Sequence, residues 1–564
     1  MRRSLIAVLV SSALVASACA GSGHDAGAKP SVSSAAAIES SGIPSVSSPA
    51  SVAVTAGAHP NVLLVLTDDM RFDDLQFMPT VRSLIGEQGL SFDDYFDNVT
   101  LCCPARTSIL RGQYSHNTGV LTNEKTNGGF ETAHGTGLED ATIATALHNV
   151  GYRTGLFGKY LNGYPDTVGP TYVPPGWDTW ASSSAGKPYG EFNYTLNENG
   201  QQVSYGKTPA DYGTDVYVRK TTEFMAAAAA EGRPFFAYLA VYAPHQPATP
   251  APQDANAFPD LKAPRDASFD EADVSDKPEF VQSRGQFSKK QVDAIDRLYR
   301  LRAQSLQAVD RSVGTMVERL KLLGQLDNTY IIFTSDNGFH LGQHRLPAGK
   351  QTAFETDIHL PLLIRGPGIA AGTHTAAIAG NVDIAPTVAQ LANATMANKT
   401  DGRSLVATFS MPQTAVTLTS PADWRQVFLL EHWSSTSSAE DRTGATQLEP
   451  DDPDQAGLPV DTTTPTSTDK KKSADKKPKG SSSAKVTIPE FQGLRTARYT
   501  YVEYVDGAQE LYDLTIDPDE LDNIATHAPG PLLDELHQRL AELQHCASDN
   551  CRAAEQTPLT YKAP

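Results

Sequence analysis

Cys102 opens the run Leu101-Cys102-Cys103-Pro104-Ala105-Arg106-Thr107-Ser108-Ile109-Leu110-Arg111-Gly112, whose residue types suit attack on an anionic group. Pro104 is tolerated in the first turn of a helix, where its missing N–H would be unpaired anyway. Thr107 to Leu110 continue that helix and Gly112 can end it. Cys102 would then sit at the helix mouth, where backbone N–H groups and the dipole favour negative charge. Arg106 follows one turn later on the same face. Its guanidinium suits a multi-oxygen anion. A buried cysteine pair before a surface arginine would leave the same short pattern.

Such chemistry needs partners, and candidates fall at the ends of apolar runs. The run 62–66 leads into Asp68-Asp69, 154–157 into Lys159, 235–242 into His245, and 330–334 into Asp336-Asn337. Short continuous apolar runs, another at 360–364, suit strands buried on both faces of a parallel sheet. Helical patterns lie between them, the longest over about 289–323 with Leu298, Leu301, Leu306, Val309, Val313, Val317 and Leu320. The alternation predicts an α/β fold: a large mixed, mostly parallel sheet sandwiched by helices. Ligands of open α/β sheets collect outside the carboxyl ends of the strands, so one rim would receive acids, cations and an imidazole. Asp68, Asp69, Asp336 and Asn337 are hard oxygen donors, a set that favours Ca²⁺ or Mg²⁺ over Zn²⁺. Turn and helix-cap roles are the alternative for two adjacent aspartates.

The run from Cys102 to Gly112, continued by Tyr114-Ser115-His116-Asn117, resembles the signature of type I sulfatases of the alkaline-phosphatase superfamily. It is most similar to the branch that includes N-acetylglucosamine-6-sulfatases and heparan sulfate endosulfatases. The resemblance implies that a formylglycine-generating enzyme oxidises Cys102 to Cα-formylglycine, with Cys103 at a variable position. It makes Asp68, Asp69, Asp336 and Asn337 metal ligands with the modified Cys102 as a fifth; calcium is the family's usual metal, magnesium the less favoured choice. Lys159 and Lys350 match its sulfate-binding lysines, and His245 in Ala243-Pro244-His245 its sulfate-contacting histidine. The implied reaction is hydrolysis of a sulfate monoester. A hydroxyl of the hydrated aldehyde attacks sulfur, the metal, Arg106, Lys159 and Lys350 stabilise the sulfuryl oxygens, and His245 is the candidate proton donor to the leaving alcohol.

One position departs from many sulfatases, which carry histidine two residues after the first lysine where this chain has Leu161. The form Gly158-Lys159-Tyr160-Leu161-Asn162 is shared by the glucosamine-6-sulfatase branch. It leaves open which group deprotonates the hydrate, with Asn162 and His116 as nearby candidates. Glu355, Pro361 to Gly368, Val382 to Thr387 and Glu510 to Leu514 continue the resemblance and read mainly as scaffold. His340 and His344 would line a substrate subsite or sit on exposed loops, and Asp73, Asp74, Asp93, Asp94 and Asp97 read as solvated or capping acids. The substrate would be a sulfated glycan or a small aryl or alkyl sulfate. Rival readings are a phosphonate or phosphate ester hydrolase on the same fold, and a surface lipoprotein that binds sulfated glycans without cleaving them.

The whole chain bounds these readings. Its 564 residues carry a net charge of −19, which counts against nucleic acid as partner but not against a local cationic pocket. Residues 1–19 read as an export signal ending like a lipobox at Cys19, with a lipid anchor to the membrane or simple secretion as outcomes, both extracytoplasmic. Residues 20–58 are rich in Ser, Ala and Gly and read as a flexible linker. A catalytic domain over 59–420 and a smaller C-terminal α+β subdomain over 421–564 follow, the latter holding a polar, disordered insertion at about 434–486. Strands are predicted over 494–504 and 510–514 around the turn Asp506-Gly507, then a helix over 532–543. Of five cysteines, Cys546 and Cys551 are close enough for a local disulfide, leaving Cys103 as a buried thiol.

Overall fold

The computed structural model describes residues 59–410, 420–434 and 488–561. The export signal with Cys19, the linker and nearly all of the predicted insertion lie outside the described residues.

The predicted apolar runs form the middle of the largest sheet. Its strands are β1 (Asn61–Thr67), β2 (Leu90–Phe92), β4 (Arg153–Gly158), β5 (Thr179–Gly186), β6 (Tyr194–Glu198), β7 (Gln201–Tyr205), β8 (Phe235–Ala240), β9 (Thr329–Ser335), β10 (Leu362–Arg365) and β11 (Thr373–Thr375), while β3 (Tyr95–Phe96) and β12 (Ala379–Gly380) make a separate two-residue pair. Their order is β11-β2-β10-β9-β1-β8-β4-β5-β6-β7. The block β9-β1-β8-β4-β5 is parallel, and the margins turn antiparallel at β10 and at β6 and β7. The sheet is therefore mixed and mostly parallel at its centre, as the alternation of runs and helical patterns predicts.

Burial on both faces explains why these strands read as unbroken apolar runs. Val62, Leu64 and Leu66 of β1 enter one core with Phe236, Tyr238 and Ala240 of β8. Leu63 and Val65 enter the opposite core with Phe235, Ala237 and Leu239. Successive side chains of a strand point to opposite faces, so a strand covered on both sides needs apolar residues at every position. The helix Lys289–Leu322 covers the second face with Leu306, Val309, Val313, Val317 and Leu320. Ser288 caps it by accepting from the Gln291 N–H, and Arg319 and Lys321 lie in its last turn, where the dipole favours cations.

The C-terminal part is a four-stranded antiparallel sheet, β13 (Val427–His432), β14 (Phe491–Thr496), β15 (Tyr499–Tyr504) and β16 (Gln509–Asp513), covered by the helix Gly530–Leu543. The single strand expected over 494–504 is a hairpin: Thr496 Oγ1 accepts from the Arg498 and Tyr499 N–H groups and turns the chain between β14 and β15. The run expected over 360–364 begins only at Leu362 and lies antiparallel to β9. Cys546 and Cys551 are joined in a disulfide, as their proximity predicts, and Cys103 is a buried reduced thiol.

This sheet is fastened to the large one by buried charge. Arg425 donates to both carboxylate oxygens of Asp383 and, at 2.9 Å, to Glu555 Oε2, with all three side chains fully buried. Tyr114 Oη donates to the other oxygen of Glu555. Arg495 of β14 pairs with Glu355 at 2.6 Å. Glu510 accepts from Tyr504 Oη at 2.6 Å and from Tyr512 Oη at 2.7 Å. Asp383, Glu355 and Glu510 thus do the scaffold work read from the sequence.

Candidate active site

The helix Cys102–Arg111 starts where the chain leaves extended backbone at Leu101, and it stops at Gly112, whose φ of 68° is the left-handed conformation glycine adopts without steric cost. Every residue of this helix is buried. Cys102 is its first residue, and Arg106 one turn on reaches across the carboxyl rim of the sheet. Its Nε donates to Asp336 Oδ2 at 2.8 Å, Nη1 donates to the Lys159 carbonyl at 3.2 Å, and Nη2 lies 3.5 Å from Asp68 Oδ1.

Each strand end delivers its side chain as the register dictates. β1 and β9 run parallel with Thr67 beside Ser335, so Asp68-Asp69 and Asp336-Asn337 emerge side by side. Asp336 Oδ1 accepts from the Asp69 N–H at 3.0 Å and the Asn337 N–H at 2.8 Å. Asp69 has a φ of 66°, a left-handed conformation that short polar side chains tolerate better than most. β4 ends at Gly158, where a Cβ would stand 1.8 Å from the Ala240 carbonyl oxygen. Only glycine lets the backbone pass there, and Lys159 is aimed at the rim directly afterwards. Its Nζ donates to Asp68 Oδ1 at 3.0 Å and Oδ2 at 2.8 Å. Lys350, from a loop rather than a strand end, donates to Asp69 Oδ1 at 2.6 Å and to Cys102 Sγ at 2.9 Å. His245 follows β8; its Nδ1 lies 2.8 Å from the Gln246 carbonyl and its Nε2 3.5 Å from Asp69 Oδ2. All nine residues singled out for chemistry therefore meet at one buried centre.

The environment sets their charge. Burial pushes the Cys102 thiol well up, against the pull of Lys159 and Lys350. Burial acts on Asp69 in the same sense, yet Lys350, His245 and Lys159 outweigh it and hold the carboxyl well below the usual range. Burial and the two lysines push the His245 ring down to about 3 despite Asp69, so the imidazole is neutral in this environment. The donor set suits a hard divalent ion. One oxygen each of Asp68 and Asp336 with Cys102 Sγ lie within 4.8 Å of one another, and so do the corresponding atoms of Asp69, Cys102 and His245. Three carboxylates and the Asn337 amide around that point give the oxygen-rich coordination that Ca²⁺ and Mg²⁺ take.

Three histidines lie elsewhere. His116 Nδ1 is 2.5 Å from Glu431 Oε1 and its Nε2 is 2.8 Å from the Cys546 carbonyl. Both ring nitrogens serve the C-terminal junction, so His116 is no base for the centre. His340 is paired with Asp357 and His344 with Glu271, both fully inside the protein rather than on exposed loops. Of the acids read as solvated or capping, Asp74 is a capping acid, accepting from the Arg71 N–H at 3.2 Å while buried against Arg302 at 3.1 Å, whereas Asp97 is fully buried as an acceptor from Asn381 Nδ2. Burial and the nearby Asp336 push Asp97 well up. Tyr189 was also missed by residue patterns. Its ring packs against His245 at 4.6 Å between centroids, tilted by 51°, and lies under the Lys159 ammonium at 5.1 Å. A tyrosine in a polar loop carries no signal of such a role.

A buried cysteine at a helix N-terminus, set among cations and hard oxygen donors on the rim of an α/β sheet, has the make-up of a hydrolase of anionic esters. The sulfatase family model matches residues 60–394, and the chain belongs to that family: it is a sulfatase. It is 33% identical to the N-acetylglucosamine-6-sulfatase of Homo sapiens over 514 residues, 88% of this chain and 87% of the human one. Among solved structures it is similar to one described as a complex with its substrate D-glucosamine-2-N,6-O-disulfate, with a TM-score of 0.65, 21% identity, and coverage of 86% of this chain and 97% of that one. The phosphonate monoester hydrolase of Agrobacterium radiobacter shares the fold, with a TM-score of 0.57 and 20% identity over 83% of this chain and 92% of its own.

Proposed function

We propose that this sulfatase hydrolyses the sulfate ester of a sulfated sugar, with a 6-O-sulfated glucosamine as the favoured unit. The observation that carries the reading is the convergence of Cys102, Arg106, Lys159 and Lys350 on one buried point. The substrate class rests on the likeness to the human N-acetylglucosamine-6-sulfatase along most of both chains.

Arg106, Lys159 and Lys350 would hold the sulfuryl oxygens, since three fixed cations in a site shielded from water stabilise the charge that gathers there in the transition state. His245 is neutral among these side chains, so it would first take up a proton, which a bound sulfate anion favours, and then supply it to the departing alcohol. Tyr189 would help to place His245 and Lys159, the first by a tilted ring contact and the second by a cation–π contact. Asp68, Asp69, Asp336 and Asn337 would hold Ca²⁺, which supplies Lewis-acid polarisation of the sulfate and of the nucleophile. Cys102 is the position for formylglycine, installed by a formylglycine-generating enzyme, which would supply the attacking oxygen in place of sulfur. The local disulfide fits an oxidising, extracytoplasmic compartment, with Cys19 as the candidate lipid attachment point.

A panel of sulfated monosaccharides, aryl sulfates and phosphonate monoesters, assayed for released anion with and without chelator, tests the reading. Sulfate release from the 6-O-sulfated glucosamine, lost with chelator and restored by Ca²⁺, is expected. Preferred turnover of the phosphonate, or undiminished turnover in chelator, overturns it.

A further inference from the structure

Beside the catalytic centre lies a narrow cleft of about 20 Å³, room for one water-sized group, lined by Lys159, Leu161, Asn162, Ser182, Tyr189 and Tyr242 among others. Lys159 and Tyr189 belong to both, so whatever is held in the cleft adjoins the ester held by Lys159. Two polar atoms in its wall have no partner in the protein. Asn162 Oδ1 and Ser182 Oγ are buried and make no hydrogen bond, in residues that are 4% and 1% exposed. Buried polar atoms are satisfied in the great majority of cases, and each exception asks for a reason.

The fold presents both atoms on purpose-built ground. Ser182 stands on β5 opposite Gly158 of β4, one residue before Lys159. It sits in the run Ser182-Ser183-Ser184, where small side chains leave room that the apolar strands fill. Asn162 ends the segment Lys159-Tyr160-Leu161-Asn162, and its own carbonyl is engaged by the Phe130 N–H at 2.6 Å, which fixes the backbone. Asn162 was a sequence candidate for the base, but an amide does not take up a proton at neutral pH. It offers hydrogen bonds instead.

We propose that Asn162 and Ser182 form a subsite that hydrogen-bonds one hydroxyl of the sugar ring that carries the scissile ester, a group small enough for the cleft. The pair thereby makes the enzyme prefer sugar sulfates over aryl sulfates. A substrate that supplies the missing donor and acceptor satisfies both atoms. One that lacks them leaves them buried and unpaired, and sites built for a hydrogen bond discriminate most strongly against such analogues. This rests on the proposed sugar-sulfate activity and names its selectivity residues.

The test compares kcat/KM for glucosamine 6-sulfate and for an aryl sulfate in the wild type, Asn162→Ala and Ser182→Ala, with thermal melting as a check on folding. The expected result is a sugar-to-aryl ratio that falls roughly tenfold in each variant, with much of the change in KM. A ratio that stays at the wild-type value overturns the subsite, whether both activities fall together, as with a structural role, or neither moves, as with a wall that only holds a water. A second readout separates this inference from the one it rests on. If the wild type releases no sulfate from the sugar, the proposed activity fails. The subsite is then judged by whether free N-acetylglucosamine inhibits aryl sulfate turnover in the wild type and roughly tenfold more weakly in Asn162→Ala. Equal inhibition of the two, or none of either, rejects it.

Discussion

Lys350 Nζ donates to Cys102 Sγ at 2.9 Å across 248 positions of sequence, and the same ammonium reaches Asp69 at 2.6 Å. One loop lysine thus ties the start of the short helix to the end of the first strand. The Cys102 side chain, the proposed nucleophile position, is held between Lys350 and Asp68 rather than left to its rotamers, which is what a preorganised site requires.

Cys102→Ala is expected to abolish sulfate release while leaving the melting temperature close to that of the wild type. The side chain is small and its loss opens little space beside Lys350 and Asp68. Peptide mass spectrometry across residue 102 in active enzyme should show the thiol replaced by an aldehyde. Substantial turnover by the alanine variant would remove Cys102 from the chemistry.

His245→Ala should slow esters of poor leaving groups more than esters of good ones. An aryl sulfate expels a stabilised phenolate that needs little protonation, whereas a sugar alcohol needs a proton early. The expected difference in rate loss between the two is on the order of 10-fold to 100-fold. Equal losses on both substrates would make His245 a sulfate contact only.

The junction of the two sheets should weaken above neutral pH through His116. Burial alone would push this ring down, but Glu431 and the Cys546 carbonyl outweigh it and raise it from 6.5 to about 9. A histidine with a raised pKa contributes stability in full below 6.5, loses it as pH rises, and has lost it above about 9. The contribution is up to about 3 kcal/mol at low pH. Denaturant melts across that window should show a decline in the wild type that His116→Ala lacks; parallel curves would refute the assignment.

Glu555→Ala should destabilise by about 3–5 kcal/mol, because it strips one partner from the fully buried Arg425 and leaves the charge incompletely paired. Urea titration measures this, and a change below about 1 kcal/mol would mean the guanidinium finds another partner. Catalytic constants of the variant that still folds should stay near the wild type, since the pair lies at the junction and not among the rim residues.

The elements of the large sheet were legible because of how they are buried. β1, β8 and β9 are covered on both faces, so their runs could be read without any knowledge of partners, and acids or a histidine just past each run pointed to the rim. The flanking strands were not legible. β5 and β7 are serine- and glutamine-rich, and their pairing follows from neighbours rather than from any apolar pattern of their own. The helix at Cys102 was readable from Pro104 and Gly112, since both act locally.

What the chain determined alone was the inventory: a cysteine at a helix mouth, acids after two strands, a lysine and a histidine after others, and a second lysine in a loop. Only the tertiary structure decided which of these meet. His116, beside the motif in sequence, is claimed by Glu431 from 315 positions away; Asp97, plain in sequence, is sealed beside Asp336; Tyr189 and Ser182 become walls of a cleft. The physical reason is that strand and helix formation are governed by neighbours along the chain. The fate of a polar side chain is set instead by whatever packs against it, and those groups come from anywhere in the chain.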